Sequence, residues 1–241
     1  MLNRPPGIAF ITLGCAKNEV DSDKMRARVL RAGFEVVADA AAADAVIVNT
    51  CSFITEATEE AISTILEVLD LPRVAAGEAR LVVTGCLPAR YGASLAEELP
   101  EVSAFVTCAD EDQIAEVLTE LLVGQGNGVG PGGCPTPSPG PTQRTVSAPW
   151  AYVKIADGCD RRCSFCTIPR IRGHYHSVPA DEIVAEVAEL VDGGVREIVL
   201  IAQDTGIWGH DGCQGDVGPR TPAGGGWGEP PPNPTAGSKQ T

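Results

Sequence analysis

Short apolar runs alternate with stretches of helical periodicity through the first half of the chain. Residues 8–13, 45–48 and 81–83 are rich in Val, Ile and Leu and predict buried strands, with 104–106 a weaker fourth. Between them, 21–31, 56–69, 94–99 and 114–122 are amphipathic. In the second of these Ile62, Ile65, Leu66 and Leu69 recur at helical spacing. Thr55 and Asp110 are placed as N-caps, and Gly33 follows a helix as a C-terminal stop. Strands alternating with helices predict a parallel sheet covered by helices, an α/β fold.

The pattern breaks at 124–143, which holds seven Gly, five Pro and no charge. Such a stretch buries too little apolar surface to offset its ordering entropy, so it reads as a linker. Periodicity resumes with a strand over 151–155, a helix over 180–190 and a strand over 197–201. This is one βαβ unit, as at the start of a parallel (β/α) barrel. From 209 to 241 the pattern dissolves again, with nine Gly and six Pro in 33 residues. One βαβ unit cannot cover its own sheet, so the expectation is a barrel cut short, followed by a disordered, non-native tail. The predicted organisation is 1–122 α/β domain, 123–149 linker, 150–208 partial barrel domain and 209–241 tail.

Composition narrows the function classes. A net charge of −14 opposes bulk electrostatic binding to nucleic acid, which needs basic surface to displace counterions. The N-terminus lacks the apolar core of a signal peptide, and no run approaches the roughly 18 apolar residues of a membrane span. Six of nine cysteines fall into two triads that read as metal ligands, which favours a reducing, cytoplasmic setting over a disulfide framework.

The first triad is Cys159, Cys163 and Cys166, at C-x3-C-x2-C spacing in one loop. Three thiolates so close can hold three irons of a 4Fe–4S cluster and leave the fourth open to a ligand. The competing reading is a zinc knuckle with His174 or His176 as fourth ligand. The second triad is dispersed. Cys15, Cys51 and Cys86 each follow an apolar strand, 36 and 35 residues apart. Parallel strands end on one edge, where ligands bind, so these three are predicted to converge on a second cluster. The alternative is three buried structural cysteines. Cys108 follows the weak fourth strand and invites the same reading, while Cys134 and Cys213 lie in Gly/Pro-rich segments and read as bystanders. Arg161, Arg162, Arg170 and Arg172 predict a basic patch for an anionic cofactor or substrate, or an ordinary solvated face.

The C-x3-C-x2-C spacing resembles that of the radical S-adenosylmethionine (SAM) enzymes. With the second triad it makes the chain similar to the methylthiotransferases, over residues 8–208. The resemblance rests on Thr12-Leu13-Gly14-Cys15-Ala16-Lys17-Asn18-Glu19-Val20-Asp21-Ser22, Asn49-Thr50-Cys51-Ser52-Phe53-Ile54, Gly85-Cys86-Leu87, Gly158-Cys159-Asp160-Arg161-Arg162-Cys163-Ser164-Phe165-Cys166 and Ile168-Pro169-Arg170-Ile171-Arg172-Gly173. The first and fourth of these, with Gln203-Asp204-Thr205, look most like the branch that acts on an aspartate β-carbon of small-subunit ribosomal protein S-twelve.

The resemblance implies two 4Fe–4S clusters and SAM, with Cys159, Cys163 and Cys166 holding the radical-generating cluster. It implies that Cys15, Cys51 and Cys86 hold the sulfur-delivering one, and that Phe165 and Gln203 lie at the cofactor. Implied partners are ribosomal protein S-twelve or the ribosome and an electron donor such as a flavodoxin or ferredoxin, with no membrane. Two alternatives stay open: a tRNA-adenosine methylthiotransferase, or a non-catalytic iron–sulfur protein. The family's SAM domain continues far past residue 208 and is followed by a small β-barrel domain, so the resemblance also implies C-terminal incompleteness.

Overall fold

The computed structural model describes residues 4–123, 144, 146, 148–161 and 163–211. Most of the expected linker, the tail beyond 211, and Arg162, Cys134 and Cys213 lie outside the described residues.

The chain opens with strand β1 (Gly7–Thr12), helix α1 (Ala16–Arg31), β2 (Glu35–Val37), β3 (Ala45–Thr50), α2 (Thr55–Leu69) and the single turn α3 (Pro72–Ala75). It continues through β4 (Arg80–Gly85), α4 (Cys86–Tyr91), α5 (Ala93–Glu98), β5 (Ala104–Thr107), a 3₁₀ turn (Glu111–Gln113) and α6 (Ile114–Val123). The five strands form one parallel sheet in the order β2-β1-β3-β4-β5. Alternation along the strands serves two cores. Val46, Val48, Leu81 and Val83 face Ala61, Ile65 and Val68 of α2. Ala45, Ile47 and Val82 face Met25 and Val29 of α1 and Ile114 and Leu118. A parallel sheet needs both faces covered, and β3, buried along its whole length, is its centre.

The second unit comprises β6 (Trp150–Lys154), β7 (Ala156–Asp157), α7 (Ile168–Ile171), β8 (His176–Ser177), α8 (Ala180–Asp192) and β9 (Glu197–Ile201). β6 and β9 pair in parallel, with α8 packed on them through Leu190, Ile183 and Val187. This is the expected βαβ unit. β7 and β8 add a small antiparallel pair that closes the cysteine loop. No helix among the described residues is long and apolar enough to cross a membrane.

Several elements differ from the sequence reading. Helix α1 starts five residues before 21, directly after Cys15, because its first turns bury mainly polar groups: Lys17, Asn18, Asp21 and Ser22 are all buried, with Val20 the one large apolar side chain among them. Periodicity of apolar residues therefore misses them. Thr55 is the first residue of its helix, with Ile54 at the cap position, while Asp110 stands at the cap position of the 3₁₀ turn but turns its side chain to accept from Thr107 Oγ1 at 2.6 Å. Strand β2 and helix α4 were not legible, the one being three residues long and the other following β4 without a break.

The buried polar face of α1 meets the second unit through ions. Lys154 Nζ reaches Asp21 at 2.6 Å and Asp157 at 2.8 Å, and Arg172 Nη1 lies 3.0 Å from both carboxylates. Arg172 Nη2 donates to Asn18 Oδ1 at 2.8 Å, and Lys17 donates to Asp157, to Gln203 and to the Ala156 carbonyl. Beside this, Arg144 spans Asp23 and Glu186. Burial by itself would raise the Asp157 pKa, but Lys154, Arg172 and Lys17 hold that carboxyl far below its ordinary range. Removing one member of a buried ionic cluster leaves the others uncompensated. Arg172→Met is expected to destabilise the fold by about 3 kcal/mol, at the low end for such losses because Lys154 still faces both carboxylates. Urea denaturation checks this.

Candidate functional site: two cysteine clusters at one sheet edge

The parallel register carries the dispersed cysteines to one edge. Cys51 directly follows β3 and Cys86 directly follows β4. Thr50 pairs with Gly85, so the next step of the ladder sets Cys51 beside Cys86. Cys15 lies one step farther out. Thr12 pairs with Asn49, which brings Gly14, rather than Cys15, opposite Cys51. Gly14 takes φ of +92°, and a Cβ there would sit 2.4 Å from Cys51 Cβ. Only a residue without a side chain admits that approach at that φ. Cys15 is exposed, with its sulfur 3.9 Å from Asn18 Oδ1, while Cys51 and Cys86 are buried.

Asn18 holds this edge together. Its amide donates to the carbonyls of Leu13 and Thr50, at 2.9 and 3.0 Å, tying the ends of β1 and β3 to α1. Asn49 donates back to the Asn18 carbonyl and to Ser22. The Cys51 thiol is held well above its ordinary pKa by its hydrogen bond to Cys86 and by burial. Cys86 is pushed to about 12, chiefly by its bond to Cys108. Without metal these are thiols, so metal binding here must release protons.

The second triad occupies the loop between β7 and α7. Gly158 has φ of +70°, and a Cβ there would be 2.0 Å from the His174 carbonyl, so the loop closes only on glycine. The Cys159 N–H donates to the Gly173 carbonyl at 3.2 Å and the Cys166 N–H to the Cys163 carbonyl at 3.1 Å. Cys159 is buried, Cys166 half-buried and Cys163 exposed. Beside Cys166, Thr167 Oγ1 is buried with no hydrogen-bond partner among the described residues. Helix α7, which follows Cys166, packs against α4, which begins with Cys86. The two triads thus share one side of the molecule, and the buried Arg172 acts electrostatically on both Cys86 and Cys108.

Among the described residues no three His, Cys, Asp or Glu side chains enclose a single metal ion. A cuboidal cluster spreads its thiolates wider than ligands around one ion, and both triads supply thiols alone, the usual donors to iron–sulfur clusters. The donor sets therefore fit iron–sulfur clusters better than zinc. His174, the expected fourth zinc ligand, is fully exposed and bonded to Asp160 at 2.8 Å, and His176 is exposed as well.

Other candidates fall differently. Phe165 projects from the loop at 84% exposure, and Gln203 is engaged at the seam, donating to Asp157 at 3.0 Å. The expected arginine patch is not one surface. Arg172 is consumed by the buried ions and Arg161 pairs with Asp204 at 2.6 Å, because each finds a carboxylate the linear sequence hides. A cavity of about 890 Å³ opens beside the seam, lined by Asp21, Cys108, Glu111, Asp157, Arg172 and His176 among others. Sequence reasoning missed Glu111, Lys17 and Asp157, since a lone charge carries no periodic signal.

The model of an uncharacterized protein family, UPF0004, matches residues 7–107, and that of the radical SAM superfamily matches 153–211. Among curated proteins, the chain is 44% identical over 211 residues to a ribosomal protein uS12 methylthiotransferase RimO of Moorella thermoacetica, covering 87% of this chain and 47% of that protein. It is 43% identical over 222 residues to the RimO of Geobacter sulfurreducens, covering 88% and 47%. Over the matched residues the chain is similar to the UPF0004 family, the radical SAM superfamily and the RimO methylthiotransferases. It spans about half the length of the curated relatives it matches. Among solved structures, the radical SAM methyltransferase TsrM of Kitasatospora setae, with tryptophan and a SAM analogue bound, has a TM-score of 0.54 at 15% identity. The match covers 84% of this chain and 48% of TsrM, and that likeness is one of fold. The match to the radical SAM superfamily implies SAM and one 4Fe–4S cluster.

Glu111 gives a pH test of this region. Its carboxyl is pushed up to about 8 by burial and by the nearby Asp21, and it accepts from Thr84 Oγ1 at 3.1 Å. A raised folded-state pKa favours the protonated form. The stability it contributes is fully present below the model-peptide value of 4.5 and is lost as pH rises through about 8. Glu111→Gln, which stays neutral, is expected to flatten this decline. Denaturant midpoints at about pH 5 and about pH 9 measure it.

Proposed function

We propose that this chain carries the two cluster-binding units of a methylthiotransferase that modifies an aspartate β-carbon on ribosomal protein uS12. One observation carries the reading: a strand-end row of cysteines stands beside a C-x3-C-x2-C loop, the two joined through α4 and α7. The names of the relatives supply the substrate, and the net charge of −14 favours a basic protein over tRNA as the partner. Cys159, Cys163 and Cys166 would hold one 4Fe–4S cluster, and Cys15, Cys51 and Cys86 the other. Bound there with SAM and a reductant of the flavodoxin or ferredoxin class, these groups supply hydrogen abstraction from carbon, sulfur and methyl. Phe165 is exposed beside Cys166 and is available to a bound cofactor. Gln203 positions Lys17 and Asp157 at the seam, and through them the loop that Gly158 begins.

Anaerobic reconstitution is expected to load about eight irons per chain, two cuboidal clusters of four. Cys163→Ala should lower this to about four and abolish formation of 5′-deoxyadenosine from SAM. Mössbauer spectroscopy, iron analysis and chromatography of the nucleoside read the three outcomes. Tetrahedral zinc, or unchanged SAM cleavage in the variant, defeats the assignment. The substrate is tested by joining this chain to the remaining half of the Moorella relative. Mass spectrometry of uS12 should then find a methylthio group on an aspartate, and a modified tRNA adenosine instead would replace the reading.

A further inference from the structure

Four strands of the first sheet lead into a cysteine, not three. Cys108 follows β5 directly, as Cys51 follows β3 and Cys86 follows β4. Gly85 pairs with Thr107, so the next step of the ladder sets Cys86 beside Cys108. Cys51, Cys86 and Cys108 therefore stand in one row across three adjacent strands, while Cys15 lies a residue beyond it. Neighbours in the row also act on one another, Cys86 raising the pKa of Cys51 and Cys108 that of Cys86.

Two further features bear on Cys108. The Arg172 guanidinium, buried at the seam, interacts electrostatically with the sulfurs of Cys86 and Cys108. Cys108 is also a half-buried residue lining the seam cavity, whereas none of the six cysteines of the two triads lines it. A thiolate there can meet a cluster at the strand ends from the cavity side, and can swing away into open space when displaced.

We propose that Cys108 is a fourth thiolate of the N-terminal cluster site, closing the iron that Cys15, Cys51 and Cys86 leave open. The inference rests on the reading that this edge holds a 4Fe–4S cluster. It makes the edge a four-thiolate site at rest, opened only when an incoming sulfur ligand displaces Cys108. That exchange trades one thiolate for another and moves no electrons, and the departing Cys108 takes up a proton from water in the cavity.

The test uses the full chain with Cys159, Cys163 and Cys166 all changed to Ala, so that only the N-terminal site can load. This parent is expected to hold about four irons. Cys108→Ala and Cys15→Ala should each retain them, because three thiolates remain, and the double variant should lose them. Methanethiolate added to the reduced protein should alter the EPR spectrum of Cys108→Ala at a lower concentration than that of the parent, where it must first displace Cys108. Cys108→Ser, which preserves volume, is measured alongside. Loss of iron from Cys15→Ala alone, or identical responses of the parent and Cys108→Ala to methanethiolate, overturns the role of Cys108 while leaving the cluster reading in place. A parent that binds no iron overturns the cluster reading itself, and this inference with it.

Discussion

Parallel pairing of β1, β3, β4 and β5 is the constraint on which the rest of this molecule depends. In an antiparallel sheet alternate strands would end on opposite edges, and cysteines 35 or 36 residues apart would be scattered. Parallel strands with helical crossovers deliver every strand end to one edge. The α-carbons of Cys51, Cys86 and Cys108 are held in the row because Thr50, Gly85 and Thr107, directly before them, are the last paired residues of the ladder. Close approach between neighbouring strand ends then becomes the limiting condition, which Gly14 meets by having no side chain against Cys51.

The second dependence is electrostatic. Helix α1 does two jobs on two faces. Met25 and Val29 hold it to the sheet, and Lys17, Asn18 and Asp21 hold it to the second unit. Replacing the buried ions by apolar side chains could leave the seam equally stable, since desolvation offsets much of their attraction. Ions are directional where apolar contacts are not. The Arg172 fork reaches Asp21, Asp157 and Asn18 in one geometry, and Asn18 in turn fixes the ends of β1 and β3. A shift of the cysteine loop is therefore felt at the strand ends, and the two thiol sites are held in fixed relation. In this chain the polar contacts supply placement and the apolar cores supply stability.

Much of this was written in the sequence. The apolar runs fixed β1, β3, β4 and β5 because fully buried parallel strands must be continuously hydrophobic. The βαβ order fixed the direction of pairing, and with it the gathering of Cys51 and Cys86 at one edge. The spacing of Cys159, Cys163 and Cys166 fixed a compact thiol loop, since no fold can separate residues so close along the chain. What the sequence could not decide is which distant charges meet. Arg172 and Lys154 look like ordinary solvated cations until Asp21, more than 130 residues away, is brought against them. Nor could it decide the exact register, one residue of which separates Cys108 from Cys15 as a neighbour in the row. Local pattern reports whether a residue is buried, and only tertiary structure reports what it is buried against.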